Sequence, residues 1–120
     1  MGDQRFPAKY RIRRDGDFRR VYRRRCTASD ERLLVFAAAN GLPHPRLGLA
    51  VSRKVGGAVR RNRWKRIVRE AFRQTRQSLP GGLDFVVIPR ESAHPELTPV
   101  TQSLACLAER LARKLLPPSQ

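Results

Sequence analysis

The residues in this chain best equipped for chemistry are its arginines. Of 26 lysines and arginines only Lys9, Lys54, Lys65 and Lys114 are lysines, leaving 22 arginines against 10 acidic residues and a formal charge of +16. A guanidinium is a planar fork that grips phosphate through two parallel hydrogen bonds and stacks on bases, which an ammonium cannot do. Genomic base composition would produce the same skew, so the skew alone decides nothing. The clustering is more informative. Residues 5–25 hold ten cations against Asp15 and Asp17. Residues 53–76 hold ten more (Arg53, Lys54, Arg60, Arg61, Arg63, Lys65, Arg66, Arg69, Arg73, Arg76) against Glu70 alone. Like charges at helical i, i+3 and i, i+4 spacing, such as Arg66/Arg69 and Arg69/Arg73, repel by a few tenths of a kcal/mol per pair. A solvated surface helix mixes Glu with Lys. A face this lopsided implies a polyanionic partner, nucleic acid ahead of an anionic membrane.

Other chemistries find little support. Cys26 and Cys106 lie far apart with no CxxC spacing, so two buried, reduced thiols are expected. His44 and His94 each precede a proline and read as loop residues, and Ser92 beside His94 reads as linker. No nucleophile, base and orienting group fall into a recognisable pattern, no carboxylate cluster suits two metals, and neither a zinc spacing nor a GxxxxGK[ST] loop occurs. The expectation is therefore no catalytic residue and no metal ligand in the chain itself. The longest apolar run, Leu33 to Ala39, falls far short of the ~20 residues of a membrane span. The start MGDQRFPAKYRIRR lacks the apolar core of a signal peptide, so a cytoplasmic protein with no membrane partner is expected.

These cations need elements to carry them. At 120 residues the chain has the length of one domain, and a single RNA-binding domain over 1–120 is expected, with an ordered core of about 9–116. Asp15 reads as an N-cap for a first helix over about Asp17 to Arg25, with Phe18, Val21 and Tyr22 at i, i+3, i+4. A short edge strand over Cys26 to Ser29 and a buried strand over Leu33 to Ala39 come next. The turn-rich segment Asn40 to Pro45 leads into an alternating strand, Arg46 to Arg53. After Gly56-Gly57 a long helix runs from about Ala58 to Gln77. Its apolar positions Trp64, Ile67, Val68, Ala71 and Phe72 fill an arc of about 140° at 100° per residue, with the cations opposite. Pro80-Gly-Gly82 ends the helix, and Asp84 to Ile88 is strongly β-prone. Thr98 reads as the cap of a last helix with Pro99 at its first position and a stripe of Val100, Leu104, Leu107, Leu111 and Leu115, stopped by Pro117-Pro118. The order αβββαβα predicts an α+β (α/β sandwich) fold, one small central sheet of about four strands with helices packed on it.

RNA fits this layout better than DNA, since no helix-turn-helix, zinc finger or heptad dimer accompanies the basic helix. A sheet with exposed aromatic rings is the usual platform for single-stranded bases, each stack giving about 1–3 kcal/mol. Phe18, Tyr22 and Phe36 are the candidates, and position alone leaves open that each is ordinary core.

The stretch Arg53-Lys-Val-Gly-Gly-Ala-Val-Arg-Arg-Asn-Arg-Trp-Lys-Arg-Ile-Val-Arg69, continuing Glu70-Ala-Phe-Arg73, resembles the signature of the bacterial ribonuclease P protein subunit, with Arg61-Asn62-Arg63 as its Arg-Asn-Arg element. Upstream, Arg11-Ile12 and Asp17-Phe18-x-x-Val21-Tyr22 are similar to that family's N-terminal helix. Arg46 to Ser52 and Asp84 to Arg90 are similar to two of its strands, so the resemblance covers about residues 9–115. It implies a small basic protein that assembles with a large catalytic RNA and assists removal of the 5′ leader from precursor tRNA, broadening substrate range. The chemistry would reside in the RNA, at Mg²⁺ ions held mainly by RNA, and no obligate protein partner is implied. Carried over by position, Arg53, Lys54, Arg60, Arg61, Asn62, Arg63, Lys65, Arg66 and Arg69 would face the catalytic RNA. Phe18, Tyr22 and Phe36 would line a cleft for the single-stranded leader. Tyr22 stands where Phe is common, Arg53 where Lys is frequent, and Trp64 is unusual within the motif and is expected to pack. The resemblance also implies a left-handed βαβ crossover, against the general right-handed preference. The main alternative is a ribosomal or other structured-RNA-binding protein with no enzyme assembly, and after it a DNA-binding architectural protein.

Overall fold

The computed structural model describes residues 7–79 and 81–116. Seven elements follow in chain order: α1 (Asp15–Arg24), β1 (Cys26–Ser29), β2 (Leu33–Ala39), β3 (Arg46–Leu49), α2 (Ala58–Thr75), β4 (Leu83–Pro89) and α3 (Leu97–Leu115). Short 3-10 turns sit at Ala8–Tyr10 and Arg53–Val55. The four strands form one mixed sheet in the order β1-β2-β4-β3, antiparallel except for the parallel β3–β4 pair that α2 connects. The fold class read from the sequence is the one observed, α+β in the order αβββαβα.

The period of two along each strand decides which residues meet which helix. Leu33, Val35 and Ala37 of β2 and Leu83, Phe85 and Val87 of β4 point to α2 and α3, where they join Trp64, Val68, Phe72, Leu104, Leu107 and Leu111 in the main core. The intervening Phe36, Ala38, Val86 and Ile88 point the other way, into a smaller cluster with Ile12, Phe18, Val21 and Tyr22 beneath α1. β4 is covered on both faces, which is why its sequence is a nearly unbroken apolar run. Trp64 is wholly buried, as its place in the apolar arc of α2 requires.

Several boundaries depart from the sequence reading. α1 begins two residues earlier than expected, so Asp15 is its first residue and not its cap. Arg14 occupies the N-cap without a side-chain bond, and Asp15 and Asp17 lie in the first turn, where carboxylates favour the helix dipole. The strand after Pro45 stops at Leu49 and not Arg53. One further sheet bond, Ala50 N–H to the Val87 carbonyl, follows, and then Ser52 Oγ accepts the Lys54 N–H at 3.1 Å and turns the chain into the 3-10 segment. α2 ends at Thr75, two residues short of the expected Gln77. α3 begins at Leu97 with Glu96 at the N-cap, so Thr98 lies inside the first turn and Pro99 at the third position, where its missing N–H is still one of the unpaired four. Both cysteines are free as expected. Burial differs, since Cys26 is half-buried and Cys106 lies exposed on the outer face of α3. Pro80, Pro117 and Pro118, expected as breakers, lie outside the described residues.

Candidate nucleic-acid interface

Helix α1 lies across the sheet against β2 and β4 and brings the three candidate rings together. Tyr22 meets Phe36 edge to face, with centroids 5.0 Å apart and planes at 90°, and Phe18 lies 6.5 Å from Tyr22 at 38°. Fully buried Val21 anchors the helix, whereas Phe18, Tyr22 and Phe36 are all half-buried, with Ala50 and Ile88 completing the floor. Burial pushes the Tyr22 phenol pKa up. The rings are thus neither plain core nor free surface. They form a shallow aromatic cleft with part of each ring open to a ligand. Gly48 of β3 sets its depth at one end: a Cβ there would come within 2.9 Å of Phe18 Cε1 and 3.2 Å of Ile12 Cδ1, so the ring rests on bare backbone.

The cations of α2 approach this cleft from the β3 edge. Ile12 N–H donates to the Leu47 carbonyl at 2.9 Å, which lays the Arg11–Arg13 segment beside β3. The result is a cavity of about 230 Å³ lined by Arg11, Arg13 and Phe18 on one side and Lys65 and Arg69 on the other. Burial, and then the nearby Arg11, lowers the pKa of the Arg69 guanidinium, since both disfavour its charged form. Along the helix Asn62, Lys65, Arg66 and Arg69 line a second concavity, and Arg60 and Arg63 a third, formed with Gly57, His94 and Pro95. Val59, between the two, is 84% exposed, an apolar knob among cations that sequence reading passed over.

The carried-over residues differ in what they are free to do. Arg53, Lys54, Asn62, Arg63 and Arg66 are exposed. Arg60 is half-buried and uses one arm to donate to the Ala93 carbonyl at 2.8 Å, tying the loop before α3 to α2. Gly56, with φ of 143°, leaves room for the Arg60 stem, which a Cβ would meet at 2.6 Å. Arg61 is half-buried, and its Nε, although buried, has no partner among the described residues.

A buried charge cluster at the other end of α1 has no signature in the local sequence pattern. Asp84 has no exposed surface. Arg46 Nε and Nη2 donate to its Oδ1 and Oδ2 at 2.8 and 2.7 Å, Asn40 Nδ2 donates to Oδ1 at 2.9 Å, and Arg20 Nη2 donates to Oδ2. Arg20 Nη1 also donates to the Ala39 carbonyl at 2.6 Å. The hydrogen bond to Asp84 raises the pKa of the Arg46 guanidinium above its ordinary range. A buried carboxylate is tolerated only with partners of this kind. Through Arg20 the cluster fastens α1, and with it Phe18 and Tyr22, over the sheet.

The chain has relatives among known proteins. Residues 6–112 match the family model for ribonuclease P. The ribonuclease P protein component of Methylococcus capsulatus is 49% identical over 89 residues, covering 73% of this chain and 69% of that protein; the one from Aliivibrio fischeri is 40% identical over 96% of both. Among solved structures, the RNase P protein of Staphylococcus aureus superposes with a TM-score of 0.74 at 32% identity over 84% of this chain and 94% of its own. That of Thermotoga maritima gives 0.74 at 36% identity over 83% and 96%. The family match over residues 6–112, with relatives and solved structures that share most of the chain, places it in the ribonuclease P protein family, the protein component of the ribonucleoprotein that processes the 5′ end of tRNA.

Proposed function

We propose that the exposed face of α2 binds the catalytic RNA, through Arg53, Lys54, Arg60, Arg61, Asn62, Arg63, Lys65, Arg66 and Arg69, and that the cleft of Phe18, Tyr22 and Phe36 holds the 5′ leader of precursor tRNA. The observation that carries this reading is the cavity in which Lys65 and Arg69 of α2 and Phe18 of α1 share one wall system. A strand lying in the cleft would continue directly onto the basic helix. Stacking tolerates any base because every base has a π-face, and phosphate contacts are blind to sequence, so the pair suits a protein that meets many leaders. Hydrolysis is assigned to Mg²⁺ held mainly by RNA in a cytoplasmic particle. In support, the fully buried carboxylate Asp84 is saturated by Arg46, Arg20 and Asn40.

Mutation separates the two surfaces. Arg61→Ala and Arg63→Ala each weaken binding to the catalytic RNA and flatten its dependence on log salt by about 0.7–0.9, whereas Asn62→Ala changes affinity and leaves that slope alone. Leu at Phe18, Tyr22 or Phe36 keeps most of the volume and removes the stacking face. Holoenzyme affinity should then fall for precursor tRNA and not for mature tRNA, with little change in melting temperature. Equal losses on both substrates would return the rings to the core.

A further inference from the structure

The cations of α1 have no role in the reading above, and they divide sharply in what they do. Arg20 is committed to Asp84 and the Ala39 carbonyl, with Asp17 3.9 Å away. Arg19 and Arg23 are exposed, and neither side chain forms a hydrogen bond or ion pair with any described residue. Each follows a ring of the cleft directly in sequence: Phe18-Arg19, then Tyr22-Arg23 one turn on. Successive residues on a helix point about 100° apart, so Arg19 and Arg23 leave α1 on its exposed side, and Arg23 lines with Arg20, Arg24, Ala38 and Ala39 a concavity that adjoins the ring cluster at Ala38. The two arginines, four residues apart, are about 5–6 Å from each other at their Cβ atoms and repel.

Arg25 adds an independent observation. It closes α1 at φ 56°, the only positive φ among described residues other than glycine, with its N–H donating to the Tyr22 carbonyl at 3.1 Å. This is the position at which helices favour glycine, because a Cβ crowds the following carbonyl in the left-handed region. An arginine there is a poor choice for the backbone, and what it adds is one more exposed cation, after Arg24, past the Tyr22 end of the cleft.

We propose that Arg19, Arg23 and Arg25 form a phosphate track that binds the backbone of the leader strand whose bases lie on Phe18 and Tyr22. The proposal rests on the leader reading of the cleft. Its recognition chemistry is separate: guanidinium to phosphodiester, one cation for each ring and one beyond. The catalytic RNA, the other polyanion in the particle, is the competing occupant.

The test uses holoenzyme reconstituted with Arg19→Gln/Arg23→Gln protein, both changes being at exposed positions, and measures affinity for three substrates across a salt series. The substrates are precursor tRNA, the same precursor with an abasic leader, and mature tRNA. The double variant should lose affinity for both leader-bearing substrates, with the salt slope shallower by about 1.4, roughly 0.7 for each lost single-strand contact. Mature tRNA should bind as before, and Arg19→Lys/Arg23→Lys should restore the slope. Tyr22→Leu should weaken the natural leader and leave the abasic one untouched. If Tyr22→Leu has no effect on the natural leader, the cleft reading falls. If Tyr22→Leu acts as expected while the arginine variant leaves the slope unchanged, the track alone falls. A loss that appears equally with mature tRNA, or as weaker assembly with the catalytic RNA, assigns these arginines to the other RNA and overturns the proposal. Arg25→Gly should raise the melting temperature of the protein and weaken leader binding at once, and a stabilised protein with unchanged leader affinity would remove Arg25 from the track.

Discussion

On one face of the sheet α2 and α3 close over Leu33, Val35, Phe85 and Val87, and Trp64, Phe72, Leu104 and Leu111 have no exposed surface. On the other face α1, ten residues long, and Ile12 before it cover Ala38 and Val86 and leave Phe18, Tyr22 and Phe36 half-open. The same kinds of side chain occur on both faces. The number and length of the covering helices make one face a core and the other a cleft. Closed packing and half-open rings thereby lie on opposite sides of four strands, and a change on one side need not disturb the other.

The sharpest way to break this comparison is to make matched truncations on the two sides. Trp64→Ala empties the closed face and should cost about 3–5 kcal/mol in urea unfolding, while Tyr22→Ala on the other face, where part of the ring already meets water, should cost clearly less. Equal costs would mean that the open face is core as well.

Next in size is Asp84→Ala, which leaves Arg46 and Arg20 without their shared carboxylate. Removing one partner of a buried pair costs about 3–5 kcal/mol. The surviving side chains are 20% and 39% exposed and can reach water, so the low end of that range is expected. Because Arg20 fastens α1, leader affinity should fall even in the folded fraction, measured by titration well below the melting temperature. Unfolding without a binding defect would confine Asp84 to stability.

The smallest effect belongs to the exposed face of α2. Arg73 Nε donates to Glu70 at 2.8 Å and brings the Glu70 pKa down to about 2. A depressed carboxylate contributes stability that is fully present above its unfolded pKa of about 4.3 and is lost as pH falls toward 2. Both groups are solvated, so the contribution is small. Glu70→Gln should lower the urea midpoint slightly at pH 7, where the contribution is fully present, and the two proteins should converge as pH falls toward 2.

The face that was easiest to read from sequence is the closed one. The apolar arc of α2, the run in β4 and the stripe of α3 are local patterns with a period of 3.6 or 2, and each led to the right element within a few residues. What escaped was non-local. Asp84 reads as a polar strand boundary because its partners Asn40, Arg46 and Arg20 stand 44, 38 and 64 positions away. The early end of β3 depends on the Ser52 turn and not on any loss of alternation. For the rings, pattern alone left core and cleft open, because helical spacing places Phe18, Val21 and Tyr22 on one side of α1 without saying how far the sheet extends beneath them. The arginines of α1 looked alike in sequence, and only the fold divides Arg20, held by Asp84, from Arg19 and Arg23.

Gly48 acts as a gauge block for this machine. Phe18 rests on its backbone with clearance for a hydrogen and not for a methyl group, so the height of one cleft wall is fixed by the smallest part available. Alanine there would lift the ring, and larger residues would lift it further, in graded steps that leave the ring's chemistry unchanged. A series at residue 48 is therefore a mechanical dial: the bore of the cleft can be stepped while every contacting group stays native, and the strand thickness the protein accepts can be read directly against it.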